Sequence, residues 1–351
     1  MLMRTAAYRA HTWVPKRYKD AALRLPDRIR NAEAFSPAWG NATDYALRYK
    51  VGRGRFGEVY RGVHVPSGRD CVIKIVKPVG KTVMQRLRRE YGVMQALAGG
   101  PHVSNLLDVV LHRTTNTPAL VYPWMENVGR QELHALMDSA LLRFYMFRLL
   151  QALDWAHERG VMHRDVKPGN VLLDLAKREF RLIDWGLAEF YLPGVERNTR
   201  ISTRPFKAPE LQLEVGHYDY AVDVWAAGCT MASLLFDRHP FFYRKGDADA
   251  KMDPLVRQAQ VLGTDELEQF MRAWGLRFTK EQVKAIRKKQ PRLAWSVFVN
   301  DKNRHRCTED AFDLLDHLLR YDHTRRITAR DALRHPFFDP VREELLAPQP
   351  H

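Results

Sequence analysis

The sequence predicts an α+β fold in two lobes, a small β-rich N-lobe followed by a larger α-helical C-lobe. Three observations predict it. Between residues 45 and 123, short apolar runs alternate with glycine, proline and serine turns, the signature of paired strands. Beyond Gly129 the apolar spacing changes to threes and fours, the period of helices. The length, 351 residues at 45% hydrophobic and 28% charged, suits a globular chain of roughly two domains or lobes.

The elements follow in chain order. Residues 1–40 read as irregular, because Pro15, Pro26 and Pro37 interrupt any long helix. Strands are expected at 45–51, 58–65 and 71–76, separated by Gly52, Gly54, Gly57 and the Pro66-Ser67-Gly68 turn. A helix is expected at 81–97, where Val83, Leu87, Glu90, Met94 and Leu97 fall on one face. A carboxylate on an apolar face is costly unless paired, so Glu90 requires a cation from elsewhere in the fold. After Gly99-Gly100-Pro101 come strands at 106–111 and 119–123. Helices are then expected at 141–159, 221–236, 258–262, 265–274, 280–289 and 308–319. The pattern ends with 327–335, and the tail after Pro340 is expected to fray. The organisation read from this is a segment 1–44 packed on the core, an N-lobe 45–122, a C-lobe 123–338 and a tail 339–351.

No run approaches the ~18–20 apolar residues of a membrane span, and the most apolar stretch, 221–236, carries Asp223. No membrane partner is expected. Cys71, Cys229 and Cys307 are widely spaced, as in a reduced cytoplasmic or nuclear protein. The net charge of +15 attracts polyanions without choosing among them. No aromatic-basic interleaving or binding module points to a specific nucleic acid. The first thirty residues are Arg-rich and acid-poor, as organelle-targeting peptides are, but have no hydrophobic signal core, and Trp13, Tyr18 and Trp39-Gly40 read as packing residues.

Chemistry concentrates in four places. Gly52-Arg53-Gly54-Arg55-Phe56-Gly57 lies between two strands, where glycines let backbone amides approach phosphates. Lys74 is a cation inside the apolar strand Val72-Ile73-Lys74-Ile75; pairing it with Glu90 resolves the buried carboxylate and sets an ammonium toward the α- and β-phosphates of a nucleotide. The run His163-Arg164-Asp165-Val166-Lys167-Pro168-Gly169-Asn170 supplies a base at Asp165, a phosphoryl-directed cation at Lys167 and a metal-binding amide at Asn170. Asp184, in Asp184-Trp185-Gly186, supplies a metal-binding carboxylate. These are the parts of the protein-kinase template, and their roles are taken from it. Magnesium (or manganese) is implied with the nucleotide, as counter-ion to a polyphosphate facing Asp184 and Asn170. Further on, Ala208-Pro209-Glu210 closes the segment that begins at Asp184; Glu210 is expected to pair with Arg326, and Asp223 to hold the backbone of the 163–170 loop.

From about Pro15 to Phe338 the chain resembles the catalytic alpha subunits of casein kinase II, a family of eukaryotic serine/threonine kinases. The residues that carry the likeness are 181–191 with Trp185, Phe206-Lys207, Val261-Leu262-Gly263-Thr264 and 318–323. The resemblance implies a bilobal protein-kinase fold and a constitutively active enzyme that phosphorylates serine or threonine in acidic contexts, using ATP or GTP. It implies a regulatory beta-subunit dimer completing a heterotetramer, on a surface matched here by Tyr45, Leu47, Ile73 and Ile75. It implies that Val51, Arg53, Val59, Val72, Tyr122, Met125, Leu172 and Ile183 join the glycines, Lys74 and Glu90 in the nucleotide site. Arg200, Arg204 and Lys207 match the family's substrate-binding basic cluster, and Arg86 and Arg89, with Lys81 and Arg88, fall near its lysine-rich stretch.

The chain also departs from the family. Gly80, Thr82, Val83 and Met84 interrupt the basic stretch, so weaker selection of distal acids is expected. Gly169 replaces a histidine, Gly57 a serine and Pro205 a tyrosine. The hinge reads Tyr122-Pro123-Trp124-Met125; Pro123 has no N–H, which moves base recognition to Met125, and the adenine pocket these residues form is bulkier and more hydrophobic, which weighs against use of both ATP and GTP. The segment between Pro15 and Trp39 is longer than usual, and bracing of the activation segment by it is expected. A pseudokinase scaffold partnering a regulatory subunit is the competing reading; its usual mark, loss of Lys74, Asp165, Asn170 or Asp184, is absent from this sequence.

Overall fold

Pairing of short strands builds the first half of the molecule. The computed structural model describes residues 14–31, 37–54, 57–76, 83–243, 253–280, 282–283 and 289–346. Six strands form one sheet in the order β1-β5-β6-β4-β3-β2: β1 (Gly40–Asn41), β2 (Tyr45–Arg53), β3 (Gly57–His64), β4 (Arg69–Val76), β5 (Asp108–His112) and β6 (Thr117–Pro123). All neighbours are antiparallel except β1 and β5, a short parallel pair that the sequence pattern did not reveal. Alternation along the strands gives the sheet two apolar faces. Cys71, Ile73, Val110, Ala119 and Val121 cluster on one, while Val76, Val109 and Leu120 meet Leu87 on the other.

Leu87 belongs to the helix laid across that second face. After α1 (Asp27–Arg30), α2 (Val83–Leu97) turns Leu87, Met94 and Leu97 inward with Glu90, as their spacing requires. Arg88 is half-buried. The second half is helical: α3 (Arg130–Leu136), α4 (Ser139–Glu158), α5 (Pro209–Gln212), α6 (Ala221–Leu235), α7 (Pro254–Leu262), α8 (Asp265–Trp274), α9 (Glu309–Leu318), α10 (Ala329–Ala332) and α11 (Asp339–Leu346). A single large core surrounds α4 and α6. From Val222 to Leu235 every residue of α6 is buried, and Thr230 and Ser233 spend their hydroxyls on the carbonyls of Ala226 and Cys229, four residues back. The fold is therefore the bilobal α+β architecture expected. No helix among the described residues is long and apolar enough to cross a membrane.

Between the lobes, β7 (Val161–Met162) pairs with β10 (Glu189–Phe190), and β8 (Val171–Asp174) with β9 (Glu179–Leu182). Two-residue strands carry too little pattern to be seen in sequence. One expectation fails. The tail after Pro340 is not frayed at first, because α11 runs to Leu346, burying Val341 and donating from Arg342 to the carbonyls of Leu333 and His335.

The N-terminal segment is tied to the C-lobe and then to α2. Lys16 Nζ donates to the Arg326 carbonyl at 3.1 Å, Arg17 pairs with Asp331 at 2.6 Å, and the Tyr18 hydroxyl donates to Asp154 at 2.9 Å. The chain then passes Gly160, where φ is +75° and a Cβ would stand 2.3 Å from Ala22 N. It reaches Gly92 of α2, where a Cβ would meet the Ile29 carbonyl at 2.5 Å. Trp13, Arg55, Phe56, Gly80, Lys81, Thr82 and most of the helix expected at 280–289 lie outside the described residues.

Candidate active site

The loop from His163 to Asn170 is built around one buried carboxylate. Asp223 on α6 accepts from the backbone N–H of His163 (2.8 Å) and Arg164 (2.7 Å) and bonds His157 Nε2 at 3.0 Å. Its burial would raise its pKa, but these donors and the nearby histidines hold it below the ordinary range. The expected anchoring role is what the geometry shows. His163 Nδ1 accepts from the Asp165 N–H at 3.2 Å, so its Nε2 carries the proton that it gives to the Ile183 carbonyl at 3.1 Å. Its ring packs edge-on against Trp185 at 4.5 Å.

Held this way, Asp165 is the centre of a small network. Lys167 Nζ lies 2.7 Å from Oδ2, and Asn170 Nδ2 donates to the Asp165 carbonyl at 2.8 Å. Thr203, on the activation segment, donates to Oδ1 from its N–H at 2.9 Å and its hydroxyl at 2.6 Å, and accepts from Lys167 at 2.8 Å. Thr203 escaped the sequence reading. The only signal for it was a hydroxyl between Arg200 and Arg204.

The second cluster joins the lobes. Lys74 Nζ sits 2.7 Å from Glu90 Oε1 and 2.8 Å from Asp184 Oδ1. Burial alone would lower its pKa; the two carboxylates outweigh that and hold the ammonium above its ordinary value. Asp184 is conversely kept below the carboxylate range, Lys74 overcoming the cost of burial. The Glu90 pairing was legible from the helix face. The third partner was not, nor was the Tyr122 hydroxyl, which donates to Glu90 Oε1 at 3.1 Å. Burial first, then Glu90, drives the Tyr122 pKa well up, so it stays a donor.

Asp184 has φ 61° and ψ 68°, a left-handed conformation worth on the order of 1–3 kcal/mol of strain in a non-glycine residue. The carboxylate meets Lys74, and the charges of His163 and Lys167 on the catalytic loop also favour its ionised form. A divalent cation fits the donor set here. Asn170 spends its amide N–H on Asp165, and among the described residues its oxygen accepts nothing; the same is true of Asp184 Oδ2. The Ile183 N–H donates to the Asn170 carbonyl at 2.9 Å and ties the two segments together. A carboxylate and an amide oxygen are hard donors, suited to Mg²⁺ or Mn²⁺ shared with phosphate.

Apolar residues line the cleft above. Val59, Val72, Leu172 and Ile183 are half-buried, Met125 is buried, and Val51 is exposed at the rim. Gly52 and Arg53 end β2, and the Gly54 N–H donates to the Gly57 carbonyl at 2.9 Å across the turn. Gly57 is sterically required: a Cβ would stand 2.2 Å from the Ile75 carbonyl oxygen. Gly169 is different, since the nearest atom to a Cβ there is Lys167 Cε at 3.9 Å and the position is exposed. Space does not explain the glycine.

The activation segment is held by Arg164, whose φ is 66°. It pairs with Glu189 and donates to the Leu187 carbonyl at 2.7 Å and the Tyr218 hydroxyl at 2.9 Å. At the far end Glu210 and Arg326 form the expected pair, wholly buried, at 2.8 Å and 3.1 Å. Of the basic residues, Arg200 and Arg204 are exposed, and Lys207 is half-buried, its pKa lowered by that burial and by Arg200. Arg86 and Arg89 stand exposed on α2, a different element. The sequence model of the protein kinase domain matches residues 45–338, well over half the chain.

Proposed function

This chain belongs to the protein kinase family, and on that premise we propose that it is an active, acidophilic protein serine/threonine kinase of the casein kinase II type. One observation carries the choice of enzyme over scaffold: Lys74 bridges Glu90 and Asp184 while Asp165, Lys167 and Thr203 share one hydrogen-bonded network. Asp165 takes the proton of the acceptor hydroxyl, and Lys167 meets the phosphoryl group in transit. Lys74 holds the α- and β-phosphates of ATP, and the Met125 backbone meets the base. Asp184 and Asn170 hold magnesium, which when bound neutralises charge on the phosphates. Val51, Gly52, Arg53, Gly54, Gly57, Val59, Val72, Leu172 and Ile183 enclose the nucleotide. Positioning and electrostatics do the rest.

Acidic selectivity rests on Arg200, Arg204 and Lys207, which flank Thr203 on the activation segment. Guanidinium and ammonium groups there meet carboxylates or phosphoserine beside the acceptor. Arg86 and Arg89 serve more distal acids. A serine peptide series with one acid moved stepwise from the acceptor should show a strong preference next to it that fades outward. A flat response across all positions would defeat the reading.

Constitutive activity is supported by Arg164, whose charge an internal carboxylate, Glu189, already satisfies without a phosphate. The N-terminal segment braces the same assembly through Tyr18, which accepts from the Tyr220 hydroxyl at 3.0 Å, and through Ala22 and Ile29. Truncation of residues 1–35 should lower specific activity severalfold although no catalytic group is removed; an unchanged rate would rule the brace out.

A regulatory beta-subunit dimer is the proposed partner. Leu47 is half exposed and Ile75 half-buried, whereas Tyr45 bonds Asp108 at 2.9 Å and Ile73 is buried, so Leu47 offers the largest apolar contact. Loss of affinity for the beta subunit in Leu47→Asp checks it. Three free cysteines fit a cytoplasmic and nuclear setting.

A further inference from the structure

The hinge that carries Met125 is fastened at both ends. On the C-lobe side the Val128 N–H donates to the Leu173 carbonyl at 2.9 Å, and Asn127 Oδ1 accepts from the Leu173 N–H at 2.8 Å. On the N-lobe side, β6 leaves the sheet at Pro123, opposite Cys71 and one residue past the Val72–Tyr122 pair. Side chains hold the hinge there. The Arg61 guanidinium lies over the Trp124 ring at 4.3 Å, and Trp124 Nε1 donates to Glu126 at 2.7 Å. Arg61 also pairs with Glu126 at 4.0 Å.

Arg61 is itself fixed in place. It pairs with Asp70 at 2.6 Å and donates to the Tyr49 hydroxyl at 3.0 Å, and Arg48 completes the network from the other side of Asp70 at 3.0 Å. Its Nε is buried and bonds nothing, as befits a guanidinium whose face is covered by a ring. Register gives its direction. Arg61 pairs with Val72 on β4, and Val72 with Tyr122 on β6, so the three project to one face. Lys74, two residues beyond Val72, shares that face, which is the face toward the cleft. Arg61 thus stands at the outer mouth of the nucleotide site, over the residue that precedes Met125.

We propose that Arg61 and Trp124 form a clamp that fixes the hinge for nucleotide binding, which makes Arg61 a positioning residue for the phosphate donor. The clamp presents the Met125 backbone at one height between β6 and Leu172, without touching the reacting atoms. The proposal rests on the kinase reading and adds a residue to it.

Steady-state kinetics of the full chain with an acidic serine peptide, varying ATP and peptide separately, tests the clamp. Arg61→Gln and Trp124→Ala should each raise the KM for ATP about fivefold, the worth of a partly exposed cation–π contact, with kcat and the peptide KM within about twofold. The double variant should resemble either single one, because both remove the same contact. Trp124→Phe should recover most of the affinity and Arg61→Lys less, since lysine keeps the charge and loses the plane. If Arg61→Gln does not fold, Trp124→Ala against Trp124→Phe decides, because both leave the Arg61–Asp70 pair intact. An unchanged ATP KM in the single variants, or increases that multiply in the double one, overturns the clamp while leaving the kinase reading whole. A wild-type chain that neither binds nor uses ATP overturns both.

Discussion

Asp165→Asn is expected to lower kcat by about 10²–10⁴-fold, the usual contribution of a positioned acid–base group, with little change in ATP affinity. Asparagine keeps the shape and one oxygen for Thr203, so the loop anchored by Asp223 should stand. What is lost is the ability to accept a proton beside Lys167. The effect should fall on kcat and on kcat/KM alike, as for an interaction made in the transition state. A variant whose kcat stays within a few-fold of wild type would mean that Asp165 is not the base.

Glu210→Ala should be the most destabilising single change, costing about 3–5 kcal/mol, because it leaves a charge buried without a partner. Both side chains are fully buried in the native chain. Arg326 would keep the carbonyls of Arg320 (2.8 Å) and Ala221 (2.7 Å), which limits the damage without neutralising the charge. The direction of the Glu210 pKa agrees: burial opposes ionisation, yet Arg326 holds the carboxylate below its ordinary value. Its stabilising share is therefore present above the unfolded carboxylate range and is lost as pH falls through the lowered value. Urea unfolding measures the loss. Arg326→Met added to Glu210→Ala should return part of it, and a single variant as stable as wild type would refute the argument.

Much of this was legible because it is local or forced by charge. The helix 265–274 agrees with α8 to the residue, and the strand expected at 71–76 lies inside β4. The Lys74–Glu90 pair followed from one carboxylate on an apolar helix face, since burial demanded a cation and the neighbouring strand held one. The partnership of Asp165 with Thr203 was hidden for the opposite reason. Thr203 is 38 residues away, and nothing in its local pattern distinguishes it from any exposed hydroxyl. Asp184 meeting Lys74, 110 residues away, depends on a left-handed backbone at Asp184 that no periodicity encodes. The grip of Arg164 on Glu189 and Tyr218 needs the activation segment folded back over it. Contacts made by closure of the fold are invisible to spacing.

The most direct measurement is transfer of labelled γ-phosphate from ATP, with magnesium, to a serine peptide with acids after the acceptor, by wild-type and Asp165→Asn chains prepared in parallel. Label on the serine with wild type, and little or none with the variant, is the predicted result. Equal label from both, or none from either, would contradict it.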